Sequence, residues 1–90
     1  MDNITDICRR LDLYPEVGIM AKADLIMLAE IKQKLPQYIG ACIYQNAKTH
    51  HQARTFEDIG LHLGCSKEAL HGAWAEIYMN FSDSDLYRWS

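Results

Sequence analysis

Two short amphipathic segments separated by a glycine, within residues 55–79, constrain the fold of this chain more than any other part of it. Thr55 precedes the first segment and belongs to the residue types that cap helix N-termini. Gly64 follows that segment, and glycine readily adopts the left-handed conformation in which helices end. Ser66 then stands where it can cap a second helix that runs to about Tyr78. The sequence therefore predicts two capped helices joined by a tight turn.

Small and apolar residues occur in this stretch at the offsets of a helix-turn-helix, the unit by which many repressors and activators place a helix in the DNA major groove. The matches are an aliphatic residue followed by a very small one, an apolar–Gly–apolar turn and a buried aliphatic residue in the second helix: Ile59, Gly60, Leu63, Gly64, Cys65 and Leu70. Gly60 replaces the alanine usual in that family, which weakens the first helix by roughly 1 kcal/mol. Ala73 is smaller than the family's second aliphatic residue, so we expect Trp74 to fill the space. Over residues 55–79 the chain thus resembles the helix-turn-helix superfamily.

The resemblance implies which side chains would contact DNA. Base edges are read by the outward face of the second helix, mostly by its first two turns. The corresponding positions are Ser66, Lys67, Glu68, His71, Gly72 and Ala75. Lys67 can reach a guanine or a phosphate, His71 can donate or accept, and Glu68 can accept from a cytosine amino group. The alternative is that Lys67, Glu68 and Glu76 only form a solvated helix face.

Charge is unevenly distributed along the chain, whose formal net charge is −3. Residues 31–54 contain four Lys or Arg residues and no Asp or Glu, a net +4, whereas residues 55–90 contain six carboxylates and two cations, a net −4. Cationic side chains near phosphates supply most nonspecific DNA affinity. We therefore place the candidate phosphate contacts in the basic block just before the motif, at Lys48, His50, His51 and Arg54.

Composition favours an all-α fold. The chain has only two prolines and five glycines and no long β-branched runs. Ninety residues, of which 49% are hydrophobic, are enough to bury one core without metal or disulfide support. We predict a single helical domain over residues 1–90, a compact bundle of about five helices that contains the helix-turn-helix at 55–79.

Apolar spacing predicts where the other helices lie. Residues 4–11 repeat an apolar face after a cap at Asp2 or Asn3, and the helix closes at Tyr14-Pro15, although Pro15 could instead start a short helical turn. Residues 22–35 contain a dense set of apolar residues, 25–29 with Ile31 and Leu35, and predict a central buried helix, after which Pro36 starts another. The aromatic tail, residues 81–90, is expected to cover the motif or to contribute to a dimer through Phe81, Tyr87 and Trp89.

Other classes of function lack their sequence signals. The three cysteines form no CxxC or CxxH pair, and His62, Cys65 and His71 lack a fourth ligand at a suitable spacing, so we expect reduced thiols and no metal. No catalytic or nucleotide-binding motif is present, which argues against an enzyme and against a cofactor. No apolar run reaches the ~18 residues of a membrane span, and the acidic start MDNITD is unlike a signal peptide, so we expect a cytoplasmic protein.

These observations predict a small regulator that binds double-stranded DNA through its helix-turn-helix, similar in size to those of plasmids, phages and bacteria. Because one helix with one lysine reads few base pairs, we expect a homodimer on a short palindromic site. The alternative is a protein-binding adaptor or inhibitor whose acidic surface docks on a basic partner, and a third is a purely structural oligomerisation domain. A surface shared by Lys67, His71 and the cations of residues 48–54 would favour DNA, whereas dominance of Glu57, Asp58, Glu68 and Glu76 would favour protein.

Overall fold

The computed structural model describes residues 3–81, and the regular secondary structure in that range is entirely α-helical. The helices are α1 (Asn3–Arg10), α2 (Pro15–Leu25), α3 (Glu30–Gln33), α4 (Pro36–Thr49), α5 (Phe56–Leu63) and α6 (Lys67–Phe81). The predicted all-α bundle is confirmed, with α3 as a single additional turn. The predicted cap at Asp2 and the side chains of the tail, residues 81–90, lie outside the described part of the chain.

Helix α4 is the centre of the bundle and packs against α2, α5 and α6. Its inward face consists of small and aliphatic side chains with no exposed surface, Ala41, Cys42, Ile43 and Ala47. Gly40 lies on the same helix, and a Cβ atom there would be 2.1 Å from Leu70 Cδ2 and 2.9 Å from Leu63 Cδ1. The missing side chain therefore lets α5 and α6 pack directly on the α4 backbone.

The predicted central helix over residues 22–35 is wrong. Helix α2 begins at Pro15, ends at Leu25 and is followed by a break before α3. Ile26 and Ile31 are 69% and 73% exposed, so this segment is peripheral. The Gln33 side-chain amide donates to the Leu28 carbonyl at 2.9 Å and holds the chain in its broken path. When a segment has apolar residues on every side of its predicted helix, the apolar pattern does not show where the helix ends. The end depends on specific hydrogen bonds such as this one.

Two helices end in left-handed residues other than glycine. Asp12 (φ 58°) follows α1 and His51 (φ 61°) follows α4. In both places the next backbone N–H reaches five residues back: Leu13 donates to the Cys8 carbonyl at 2.9 Å, and Gln52 to the Ala47 carbonyl at 2.8 Å. These are Schellman caps, which satisfy the last carbonyls of a helix. Helix α1 therefore ends before the predicted Tyr14-Pro15 stop, while its predicted apolar face, Ile4, Ile7, Cys8 and Leu11, is confirmed as buried.

A buried polar pair joins α2 to α4. Asn46 Nδ2 donates to Asp24 Oδ2 at 2.7 Å and to the Cys42 carbonyl at 2.9 Å. Asp24 has no exposed surface, and Asn46 is 2% exposed. A buried carboxylate needs hydrogen-bond donors to offset the loss of its hydration. Asn46 therefore both fixes the position of α2 on the central helix and stabilises the carboxylate.

Candidate functional site

The predicted caps of α5 and α6 are confirmed. Thr55 Oγ1 accepts a hydrogen bond from the Asp58 backbone N–H at 3.0 Å, and Ser66 Oγ accepts one from the Ala69 N–H at 3.1 Å. Gly64 lies between the helices with φ 70° and ψ 30°, which is the left-handed conformation expected of it. We call residues 55–81, with these two helices and their turn, the α5–α6 unit. Its helices are slightly longer than predicted, ending at Leu63 and Phe81.

Gly64 is needed for its backbone conformation alone, since a Cβ atom at this position would meet nothing within 4 Å. We expect Gly64→Val to lower the free energy of unfolding by more than about 1 kcal/mol, because a β-branched residue resists positive φ. Gly64→Asn is the matched control, since asparagine tolerates this conformation. Thermal melts followed by circular dichroism would measure both variants. A valine variant that melts with the parent would contradict this account of the turn.

Gly60 is required by close packing within the unit. A Cβ atom there would lie 2.4 Å from the Cys65 carbonyl oxygen and 3.4 Å from Leu70 Cδ1. The turn after α5 thus folds back onto the α5 backbone. The Cys65 carbonyl, more than α6 itself, is the reason that position 60 needs a small residue. The Cys65 N–H donates to the Gly60 carbonyl at 3.2 Å and completes this tight contact.

An aromatic cluster that was not predicted from the sequence fixes the rotation of α6. Tyr44 and Phe56 stack with ring centroids 3.9 Å apart, and Trp74 meets Tyr44 edge-on at 5.9 Å. The Trp74 indole N–H donates to Gln45 Oε1 at 2.8 Å. Ala73 is buried, and Trp74 is held half-buried beside it against α4 and α5. With Ile77 and Leu70 also buried, the opposite side of α6 faces outward.

An open cleft of about 580 Å³ lies between the first turns of α5 and α6. Its walls are Thr55, Phe56, Glu57, Lys67, Glu68 and His71, so it contains three of the six predicted base-reading residues. The His71 ring packs edge-on against Phe56 at 5.6 Å, which limits its orientation. Ser66 lines the neighbouring depression with Lys67. Gly72 is exposed further along α6, and Ala75 is half-buried at the edge of this surface.

Glu76 does not belong to a solvated helix face with Lys67 and Glu68, which was the alternative interpretation of these residues. Lys32 of α3 forms an ion pair with Glu76 Oε2, and the Tyr38 hydroxyl donates to Oε1 at 2.7 Å. The hydrogen bond from Lys32, followed by that from Tyr38, holds the pKa of Glu76 below its usual value. The negative charge is therefore compensated where α3, α4 and α6 meet. Glu57 and Glu68 remain as the carboxylates of the cleft.

The four predicted phosphate contacts have different surroundings. Lys48 is exposed and lies one helical turn after Tyr44, whose ring stacks on the Phe56 wall of the cleft. His51 is also exposed, whereas His50 is half-buried with its Nδ1 2.8 Å from the Asn46 carbonyl. Lys48 and His51 are thus the more accessible of these residues.

Arg54 has a structural role that its sequence position does not indicate. Its Nε donates to the Leu11 carbonyl at 3.1 Å, and a second guanidinium nitrogen donates to the Gln52 carbonyl at 2.9 Å and the Ala53 carbonyl at 3.2 Å. The Gln52 side chain also accepts from the Tyr14 N–H at 2.7 Å. The loop before α5 is therefore tied to the loop after α1, and removal of Arg54 would disturb the position of α5.

The thiols and histidines form no reactive or metal-binding cluster in the described residues. Across residues 3–81, no three His, Cys, Asp or Glu side chains converge where they could hold a metal ion. Burial raises the pKa of Cys42 to about 12 and also raises that of Cys65, so both thiols stay protonated at neutral pH. None of the described helices combines the length and the apolarity needed to cross a membrane.

Comparison of the chain with protein-family models, with curated proteins and with solved structures found no match. The function of the α5–α6 unit must therefore be inferred from its own geometry and charge.

Proposed function

We propose that this chain is a small DNA-binding regulator that inserts the N-terminal half of α6 into the major groove of double-stranded DNA. The supporting observation is the geometry of the α5–α6 unit: two side-chain caps, a left-handed Gly64 and a turn carbonyl packed on Gly60. A helix-turn-helix likewise joins two helices through a short turn that often contains glycine, and it reads base edges with the start of its second helix. Leu70 and Ile77 anchor the inner side of α6, and the outward side of its first two turns is exposed.

The exposed start of α6 carries groups suited to this task. Lys67 can approach a phosphate or the acceptor atoms of guanine, and Ser66 stands beside the helix N-terminus, where backbone N–H groups favour anions. His71 is held against Phe56 in a restricted orientation, which reduces the entropy lost when it forms a hydrogen bond. Lys48 adds an accessible cation on the same side of α4 as the cleft wall.

The charge balance of this surface favours specific over nonspecific binding. Compensation of Glu76 by Lys32 removes one negative charge from the approach to DNA. Glu57 and Glu68 stay in the cleft beside Lys67, so nonspecific attraction to phosphates is weak. Useful affinity then needs base contacts from two copies of α6, as on a palindromic site bound by a homodimer.

Selection of bound sequences from random duplex DNA at moderate salt tests the proposal, and gel shifts across salt then measure the contacts. We expect Lys67→Ala and Lys48→Ala each to reduce the slope of log affinity against log salt by about 1, the amount for one lost phosphate contact. Arg9→Ala is the control, since Arg9 is an exposed cation on α1. Failure to enrich any sequence, or slopes equal to the parent in both lysine variants, would reject DNA binding by this surface.

Gly72 separates stability from binding. A Cβ atom at this exposed helical position would meet nothing within 4 Å, so its absence has no packing reason within the described chain. We expect Gly72→Ala to raise the free energy of unfolding by about 0.5–1 kcal/mol through helix propensity. We also expect weaker DNA binding, because the methyl group would lie where the groove wall approaches α6. A variant that is more stable and binds DNA as the parent does would exclude close approach at Gly72.

A protein-binding role is the second candidate, and the composition of the cleft favours it. Glu57 and Glu68 flank a wall formed by Phe56, which suits a basic side chain with an apolar stem. Leu61 and Met79 are 78% and 79% exposed on α5 and α6 and could extend such an interface. The DNA selection discriminates between the candidates, since a protein-binding cleft would enrich no DNA sequence.

A further inference from the structure

Four exposed apolar side chains occur in the short segment that joins the end of α2 to the start of α4. They are Ile26, Met27, Ile31 and Leu35, which are 69%, 44%, 73% and 37% exposed, and we call them the apolar ledge. The Gln33 side chain, through its hydrogen bond to the Leu28 carbonyl, holds this segment in a compact shape. Clustered exposed aliphatic side chains on a small protein mark contact surfaces, because burying them in a complex is favourable.

The charges that border the ledge are self-complementary. Glu30 precedes Ile31 and Lys34 follows it one helical turn after Glu30, and neither side chain forms an ion pair with another of residues 3–81. If two copies meet about a two-fold axis that passes Ile31 perpendicular to α3, their α3 segments run antiparallel. Glu30 then faces Lys34 of the partner subunit, and the same pair recurs on the other side of the axis. A two-fold contact therefore compensates both charges.

We infer that the apolar ledge is the contact surface through which two copies of this chain form a symmetric dimer. This inference deepens the proposed function, and its geometric argument rests on that function. Lys32 binds Glu76, so α3 is tied directly to the C-terminal half of the helix whose N-terminal half we assign to DNA. A dimer formed through the ledge would thus set the spacing and orientation of the two α6 helices.

The dimensions of the fold fit that arrangement. Glu76 lies about 10 Å along α6 from Ala69 at the rise of an α-helix. One helix spacing plus one helix radius, about 15 Å, separates the α6 axis from the outer surface of α3. Together these place the ledge roughly 18 Å from the first turns of α6, so a two-fold axis at the ledge sets those turns at most roughly 36 Å apart. Successive major-groove sites on one side of B-DNA are about 34–36 Å apart.

The test is the mass of the full-length chain, measured without DNA by light scattering and sedimentation over a wide range of concentration. We expect a dimer for the parent, and a dissociation constant raised more than about tenfold by Ile31→Glu, because the two introduced carboxylates would face each other across the axis. Leu61→Glu is the control, since it places the same charge at a residue that is 78% exposed on α5. Circular dichroism would verify that each variant is folded.

Charge exchange makes the test specific for the antiparallel arrangement. Glu30→Lys alone and Lys34→Glu alone each place like charges together and should weaken the dimer, whereas the double exchange should restore it. A parent protein that is monomeric would overturn the inference, whatever else covers the ledge, be it residues 82–90 or another protein. A dimer unaffected by Ile31→Glu would also overturn it. A dimer that enriches no DNA sequence would reject the proposed DNA binding but support the ledge as the dimer contact. A monomer that enriches a DNA sequence would support DNA binding but reject the ledge as a dimer contact.

Discussion

Gly60→Ala is expected to lower the free energy of unfolding by about 2 kcal/mol, although alanine is the better helix former by about 1 kcal/mol. The added Cβ atom would lie 2.4 Å from the Cys65 carbonyl oxygen. This carbonyl belongs to the backbone of the turn, whose path is determined by Gly64 and Ser66. It therefore cannot move aside, as the flexible end of a side chain could. The steric cost therefore exceeds the gain in helix propensity.

Urea denaturation would measure this effect, with Gly72→Ala as the matched control. Both variants add one methyl group to a helical glycine, but Gly72 has open space around it and Gly60 does not. The two changes are expected to have opposite signs. If Gly60→Ala proved as stable as the parent, the α5–α6 turn would have to be looser than the structure shows.

Asn46→Ala is expected to cost about 3 kcal/mol of folding stability, the upper end of the range when a buried polar group loses its hydrogen-bond donor. Asn46 Nδ2 donates to Asp24 Oδ2 at 2.7 Å, and the carboxylate has no exposed surface. Truncation deletes this donor from the carboxylate and leaves a small cavity between α2 and α4. The carboxyl oxygen left without this donor then contributes most of the loss.

Urea denaturation would again provide the measurement, and two further variants isolate the cause. Asn80→Ala removes the same amide from an exposed position, where Nδ2 donates to the Glu76 carbonyl at 2.8 Å, and should change stability by less than about 0.5 kcal/mol. Asp24→Leu combined with Asn46→Leu removes both polar partners and should restore most of the stability. Equal effects of Asn46→Ala and Asn80→Ala would show that the buried pair has no special importance.

The α5–α6 unit could be predicted from sequence because its determinants are local. Thr55 bonds to a residue three positions later, as Ser66 does, and the left-handed Gly64 needs no distant partner. Such caps depend on residue type and on spacing within a single turn, which a sequence displays directly. The six candidate base-reading positions follow from the same register, and three of them share the cleft between the helices.

The helix predicted over residues 22–35 failed because hydrophobicity does not distinguish a buried helix from an exposed apolar surface. The apolar ledge and the buried Leu28 occupy the same short segment, and only contacts with α4 and α6 separate their environments. A carboxylate at Asp24 within an otherwise apolar run was the available signal for a buried polar pair. Its partner could not be identified, since Asn46 is 22 positions away.

The helical class, the caps and the turn of the α5–α6 unit could be inferred from the amino-acid sequence, because those energies depend on neighbours within about one helical turn. Which charges are available at the surface of the unit depends on the packing of distant segments. Lys32 compensates Glu76 across 44 positions, and Arg54 bonds to Leu11 across 43. A charged side chain can attract a ligand strongly only if no neighbouring group of opposite charge compensates it. Partners so distant in sequence meet only after the chain has folded.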